Sequence, residues 1–118
     1  MAILEELKEL SVFIQRETNL KNVSIVHSPL DAEGERVVVD HGSTEHQEGI
    51  PMISNVPVTV TLSDAKENWQ KILQAAETIQ YELRQNKAHK WLAGDIERVE
   101  DESRYVLRLS LTVPIRIA

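Results

Sequence analysis

Hydrophobic and polar positions alternate along the last part of the chain. From Tyr105 to Ile117 every odd position is apolar, and most even positions are polar. A period of two predicts a β-strand with one buried face. At ~3.3 Å per residue such a strand could span ~40 Å, whereas ordinary strands have about 5–6 residues. We expect it to form a long hairpin with residues 90–99, or to bend or project and offer an edge to a neighbouring chain.

Two other segments show the spacing of three and four residues that indicates amphipathic helices. The first covers residues 2–17. The second starts at Asp64, where Asp64 and Glu67 have the spacing of an N-terminal capping box, and runs to about Asn86. Their apolar stripes are Ile3, Leu4, Leu7, Leu10, Phe13 and Ile14, and Trp69, Ile72, Leu73, Ala76, Ile79 and Leu83. We predict that both helices pack on a sheet, with Trp69 and Trp91 as core aromatics between the second helix and that sheet.

Shorter segments predict the rest of the sheet. Strands are expected near residues 23–26, 37–39, 53–62 and 90–99. The unbroken run Val37–Val39 indicates burial on both faces. Pro57 predicts an open side or a bulge in its strand, and Gly94 predicts a bulge in the next.

Between these strands, residues 41–52 have no period and contain two glycines and a proline, which predicts a long loop. The order of elements indicates a single α+β domain over residues 1–118. We expect a mostly antiparallel sheet of about four to five strands with two helices on one face.

Composition narrows the classes of function. The 118 residues have a formal net charge of −6 and include no cysteine. An acidic chain argues against a general DNA-binding protein, and the lack of thiols excludes disulfides and cysteine-ligated metals. The acidic residues near the amino terminus predict that no export signal is present, and no apolar run reaches the ~20 residues that cross a bilayer.

Candidate chemistry is concentrated in two polar segments. His41 and His46 lie in the predicted loop with nearby acids, but their spacing matches no zinc motif, so we interpret them as surface residues. Glu100, Asp101 and Glu102 are predicted to form a hairpin turn, where hydration would keep the carboxylates from acting as a catalytic acid and base. The alternative is an acidic patch that faces a partner. We therefore predict neither an enzyme nor a bound cofactor or metal.

The order of segments resembles the tail terminator (tail completion) proteins of long-tailed bacteriophages. A first amphipathic helix and a short strand precede RVVVD and the glycine-containing HGS. The strand VPVTVTLSD then leads into the helix NWQKILQAAETIQYELR, and the long strand YVLRLSLTVPI follows the tryptophan strand. The resemblance covers essentially the whole chain and depends on order, length and pattern.

The resemblance implies an α+β protomer that assembles as a homo-hexameric ring on the tail tube. Such a ring ends tail polymerisation and joins the tail tube protein to the head–tail connector protein, and DNA passes through its lumen without specific binding. It implies a virion protein of the tail or neck, assembled in the host cytoplasm, with no membrane partner. The residues that we expect at subunit or partner interfaces are Arg108, Arg116, His41, His46, Glu100, Asp101 and Glu102.

Other functions remain open at the level of sequence. The same layout would suit another neck or head-completion protein. It would also suit a module that binds a small molecule or a peptide through the sheet face and Trp91. A metal-dependent enzyme would need His41 and His46 to share a metal ion.

Overall fold

The fold was obtained as a computed structural model. It describes residues 2–26, 34–42, 45–47, 50–85 and 91–116. Within these ranges, the backbone alone is described for residues 2, 45–47, 50–54, 115 and 116.

Two helices form one layer of the molecule. Helix α1 spans Ala2–Thr18, and helix α2 spans Trp69–Gln85 after a single 3₁₀ turn at Lys66–Asn68. The predicted stripes are confirmed for most positions because apolar residues three and four apart share one face of a helix. The exceptions are Leu4 and Trp69, whose side chains are 47% and 43% exposed. Trp69 is therefore not the core aromatic that the stripe predicts.

The second layer is a mixed β-sheet whose strands run in the spatial order β1–β2–β4–β6–β5, with β3 paired to β4. Only the edge pair β1–β2 is parallel, and the other pairs are antiparallel. The fold is α+β with a mostly antiparallel sheet, as predicted. The strands are β1 Val23–Ile25, β2 Arg36–His41, β3 Glu45–Gln47, β4 Ile50–Ala65, β5 Leu92–Val99 and β6 Arg104–Arg116.

The core lies between the helices and one face of the sheet. The alternation in β6 is confirmed, because its odd residues from Leu107 to Val113 are all buried. The even residues of β4 from Val56 to Leu62 lie beside them and are buried too. Val37 and Val39 complete this face from β2, whereas Val38 between them is only half-buried. The run of valines is thus buried on one face, and the prediction of burial on both faces is wrong.

Trp91 closes one end of this core. Its ring is 5% exposed and lies 5.7 Å from the ring of Phe13 in α1. Its indole N–H donates a hydrogen bond of 3.1 Å to the carboxylate of Glu6. Trp91 is a core aromatic, as predicted, but it connects the sheet to α1 instead of α2.

The segment predicted as a loop is largely β-structure. β2 continues to His41, β3 occupies Glu45–Gln47, and β4 already begins at Ile50. The prediction of a twelve-residue loop is therefore wrong. Antiparallel pairing between β3 and β4 provides hydrogen-bond partners for the backbone of this segment, although its side chains show no period.

The terminal strand is an interior strand. β6 pairs with β4 along its whole length and with β5 from Val106 to Thr112. Over that range both of its edges are occupied, so the expected free edge is absent from the middle of β6. Beyond Thr112, β6 and β4 continue as a pair past the start of β5. The molecule is correspondingly elongated, at 48 × 30 × 24 Å.

Candidate functional site

Arg108 lies on the face of the sheet that the helices leave uncovered. In the register of the sheet it is opposite Thr61 on one side and Glu97 on the other. Residues directly opposite in antiparallel strands project on the same face. Arg108 and Glu97 are both exposed, so the structure presents them side by side to solvent.

The same uncovered face carries further β-branched and polar side chains. Val38, Thr59, Thr61, Val106 and Thr112 are only partly exposed because they shield one another along neighbouring strands. A sheet face of this kind is flat and only moderately polar. It suits contact with another protein surface better than it suits a small ligand, which needs a concave site.

His41 ends β2 at a point where the ladder is interrupted by proline. Gly42 donates its backbone N–H to the carbonyl of Pro57 at 2.8 Å. Pro57 has no N–H with which to return the bond. The Nδ1 atom of His41 instead lies 3.0 Å from the carbonyl oxygen of Gly42. The exposed imidazole therefore has a local structural role. The ladder between β2 and β4 ends beside Pro57, but Gly42 still bonds to the Pro57 carbonyl, so this side of β4 is interrupted and not open as predicted.

Arg116 and His46 occupy the far end of the sheet. The backbone of Arg116 pairs with Ile53 at the end of β6, and the backbone of His46 pairs with Ser54 in β3. Both side chains lie outside the described residues. The strands nevertheless place the two backbones on opposite sides of β4, in one three-stranded part of the sheet.

The acidic turn between β5 and β6 is exposed, and its three acids differ in role. The carboxylate of Asp101 accepts hydrogen bonds from the backbone N–H groups of Ser103 and Arg104 at 2.9 and 3.0 Å and from the Ser103 hydroxyl at 3.1 Å. These bonds, led by that from the Ser103 N–H, lower the pKa of Asp101 below its ordinary value. Asp101 therefore shapes the turn, and Glu100 and Glu102 are the acids that remain to face a partner.

Near this turn, a polar network that the sequence did not reveal joins the start of β6 to β4 and to the segment before β2. Arg104 donates through Nη2 to the carbonyl of Gly34 and to the hydroxyl of Ser63, the latter at 3.2 Å. Next to it, Lys71 of α2 forms an ion pair with Glu35. The network joins residues that are far apart in sequence, and the local pattern therefore could not predict it.

The Glu35–Lys71 pair shows opposing influences on ionisation. Burial raises the pKa of Glu35, but hydrogen bonds from Lys71 and from the Lys21 backbone outweigh it, so the pKa of Glu35 is lower than usual. The hydrogen bond to Glu35 raises the pKa of Lys71. Both groups are thus charged at neutral pH, as expected for a pair that strengthens the contact of α2 with the strand region.

Asp64 is not the helix cap that its spacing with Glu67 predicts. It belongs to the end of β4, is buried, and accepts a 2.7 Å hydrogen bond from the backbone N–H of Ala65. The 3₁₀ turn that follows begins without a side-chain cap. The capping-box prediction is wrong because β4 continues three residues beyond the predicted end at Leu62 through pairing with β6.

A cleft with aromatic and cationic walls lies beside the 3₁₀ turn. Lys66, Trp69, Arg98 and Tyr105 line a space of about 340 Å³. The rings of Trp69 and Tyr105 meet edge to face at 6.3 Å, and the guanidinium of Arg98 lies 5.3 Å from the centre of the Tyr105 ring. A helical stripe alone does not show this cleft, because the cleft depends on the exposure of Trp69, which the stripe predicts to be buried.

The structure brings together only some of the predicted interface residues. Arg108 lies on the uncovered face, whereas the acidic turn 100–102 lies at the end of the β5–β6 hairpin. His41 is opposite Val58, on the side of β4 that faces away from β6 and β5. The predicted residues therefore do not form one site but mark several separate surfaces of the protomer.

The structure also bears on membranes and metals. Neither of the described helices is long and apolar enough to cross a bilayer. In the described part of the chain, no group of three or more histidine, aspartate or glutamate residues is arranged to hold a metal ion.

Comparison with known proteins does not assign the chain to a family. No model of a protein family matches the sequence, and no curated protein matches it either.

Proposed function

We propose that this chain is a structural assembly protein of a phage virion, with the role of a tail terminator. In this proposal copies of the chain form a ring, hexameric as the resemblance implies, at the head-proximal end of the tail tube. The ring ends tube polymerisation and offers its other face to the head–tail connector protein. The protein would reside in the tail or neck of the virion after assembly in the host cytoplasm.

The observation that carries this proposal is the continuation of β6, paired with β4, past the start of β5. β5 starts opposite Thr112 and β2 ends opposite Val58, yet β4 and β6 remain paired as far as Ile53 and Arg116. Among the described strands, none flanks β6 beyond Thr112 on the side away from β4. Its backbone carbonyl groups there, and its N–H groups except at Pro114, can pair with a strand of another subunit.

The uncovered sheet face supports the same proposal. Arg108 projects from the middle of this face, while the chain as a whole has a net charge of −6. A basic position on one face and acids such as Glu100 and Glu102 elsewhere suit contact between unlike surfaces of successive copies. Repetition of such a heterologous contact closes a ring when the rotation per subunit allows it.

The net acidity is compatible with a lumen that DNA traverses. Phosphates bind where lysine and arginine are concentrated, and binding of that kind would slow passage of the genome. An acidic wall repels the phosphates instead.

Tube growth tests the proposal directly. Tail tube subunits of the phage that carries this gene would be polymerised with and without the purified protein and imaged by electron microscopy. We expect the protein to form a ring at one end of each tube and to stop elongation there. Tubes that grow to the same lengths and show bare ends at saturating protein would contradict the proposal.

A further inference from the structure

The cleft beside the 3₁₀ turn has the chemistry of a docking site. Its aromatic walls are accessible, since Trp69 is 43% exposed and Tyr105 is half-buried. Its cations are Lys66 and Arg98, both exposed. Within the ranges that the structure describes, neither cation forms an ion pair with a carboxylate of its own chain. The cleft therefore offers an apolar contact and two cations to the same occupant.

The position of Arg98 strengthens this argument. Arg98 is opposite Leu107, so it projects on the helix-covered face of the sheet together with core residues such as Ile96. The Tyr105 ring covers one face of the guanidinium, and the five N–H donors of this exposed side chain remain open to oxygen acceptors at the rim. An acidic side chain from outside would supply them.

The outer side of α1 has the complementary chemistry. Leu4 and Val12 are 47% and 60% exposed, and the exposed acids Glu5 and Glu9 lie next to these apolar residues on the helix. Residues four apart share one face of a helix, so Leu4, Lys8 and Val12 form one exposed row. α1 thus presents apolar side chains flanked by carboxylates, as the cleft requires.

The other charged residues near the two surfaces are also of opposite sign. Beside the cleft, Lys66 shares a second depression with Glu100, Asp101 and Glu102. These acids would repel a polyanion such as nucleic acid, which makes a nucleic acid a poor occupant. On α1, the exposed base Lys8 stands between Glu5 and Glu9. Each surface therefore has both signs of charge, arranged so that acids can meet bases.

The two surfaces lie at different places on the protomer. α1 packs chiefly over β1 and β2, at one edge of the sheet, whereas α2 and the cleft lie toward β5 at the other. One molecule cannot bring its own α1 surface into its own cleft. Two copies can do so head to tail, which leaves a free surface of each kind for the next copies.

We propose that the cleft of one copy binds the outer face of α1 of the next copy. Val12 and Leu4 would contact Trp69, and Glu5 and Glu9 would pair with Lys66 and Arg98. This inference rests on the proposed function, because it names the contact by which the ring would close.

Charge exchange between the two surfaces provides the test. The first variant carries Lys66→Glu and Arg98→Glu, the second carries Glu5→Lys and Glu9→Lys, and a third carries all four substitutions. Self-association is measured by analytical ultracentrifugation and, on tube ends, by electron microscopy. We expect each two-site variant to associate at least tenfold more weakly than wild type. The four-site variant, and an equimolar mixture of the two others, should associate as wild type does.

A matched control separates this contact from a general effect of charge. Glu77→Lys changes an exposed acid of α2 that belongs to neither surface, and it should leave association unchanged. Melting temperatures within a few degrees of wild type show that each variant is folded. Recovery in the four-site variant also answers any concern about folding, because a misfolded chain is not rescued by further substitutions.

The outcomes distinguish this inference from the proposed function. Two-site variants that form normal rings, or a four-site variant that remains monomeric, overturn the α1 contact and leave the ring in place. Loss of tube binding without loss of self-association overturns it in favour of a different protein in the cleft. A wild-type chain that associates neither alone nor on tubes removes both proposals.

Discussion

Individual polar side chains in this protein often bond to backbone groups close to them in the chain. Pro57 cannot donate to Gly42, and the His41 ring instead contacts the Gly42 carbonyl. Asp101 holds the turn that aligns β5 with β6. In both cases a side chain contacts backbone N–H or carbonyl groups that the β-ladder leaves without a partner, since buried and turn backbone groups require one. They have structural roles that their residue types alone do not reveal.

The ion pair between Glu35 and Lys71 gives a prediction at the scale of single residues. Lys71→Met should lower the free energy of unfolding by about 1 kcal/mol at pH 7, the upper range for exposed pairs, because the Glu35 side chain is only 20% exposed. Chemical denaturation measures the change. Lys66→Met is the matched control, since Lys66 has no ion pair among the described residues, and it should cost less than half as much.

The pH dependence of this pair follows from its pKa shifts. The pKa of Glu35 is below its ordinary 4.5 in the folded protein, so its contribution is complete above pH 4.5 and is lost as the pH falls through the lowered value. The pKa of Lys71 is raised above 10.5, so its contribution is lost as the pH rises through that higher value. A difference between wild type and Lys71→Met that stays constant down to pH 2 would contradict the assigned ion pair.

At the scale of elements, the bulge in β5 is the point at which this strand is hydrogen-bonded to α2. The register shifts between Ala93 and Ile96, as the glycine in this strand predicted. The carbonyl of Gly94 accepts hydrogen bonds from Gln80 and Arg84 of α2 at 2.8 and 3.0 Å. The bulge thus presents to the helix a carbonyl that a regular ladder would use within the sheet.

Substitution of the bulge glycine tests this attachment. A Cβ atom at Gly94 would lie 3.0 Å from the backbone carbonyl oxygen of Ser110 in β6. Because β6 is held on both sides, we expect Gly94→Ala to destabilise the protein by about 1–3 kcal/mol, measured by denaturant titration. Gly42→Ala is the control: its Cβ also meets an atom at 3.0 Å, but that atom is a ring carbon of exposed Pro57, which can move. An effect at Gly94 no larger than that at Gly42 would contradict the close approach.

At the scale of the whole molecule, the two faces of the sheet differ in what they offer. The helices bury one face in a continuous core, and the other remains open with Arg108 at its middle. The β4–β6 pair extends this layered body at one end. The proposed contact with other subunits would use this open face.

Arg108→Glu tests the role of the open face in assembly. We expect ring formation to weaken at least tenfold while the monomer remains folded, since the change adds only an exposed like-charge contact with Glu97, worth about 0.2–1 kcal/mol. Native mass spectrometry and thermal melting report the two effects. Arg108→Lys keeps the charge and should preserve the ring. A ring that forms normally with glutamate at this position would remove Arg108 from the interface.

The sequence alone was sufficient for those features that depend on neighbouring residues. The period of α1 and the alternation of β6 predicted both elements and their buried positions within one or two residues. The bulge at Gly94 and the turn before Ser103 also follow from local backbone preferences. These predictions succeeded because a helical or extended period places buried side chains on one face whatever the partner is.

Tertiary structure decided the features that depend on which elements are neighbours. Pairing with β6 extends β4 through Asp64, which removes the predicted cap, and position between β4 and β5 makes the terminal strand interior. The packing of β5 against α2 creates the cleft around Trp69 and Arg98. Local spacing cannot specify these arrangements, because their free energy comes from contacts between residues far apart in the chain and is shared among many weak interactions.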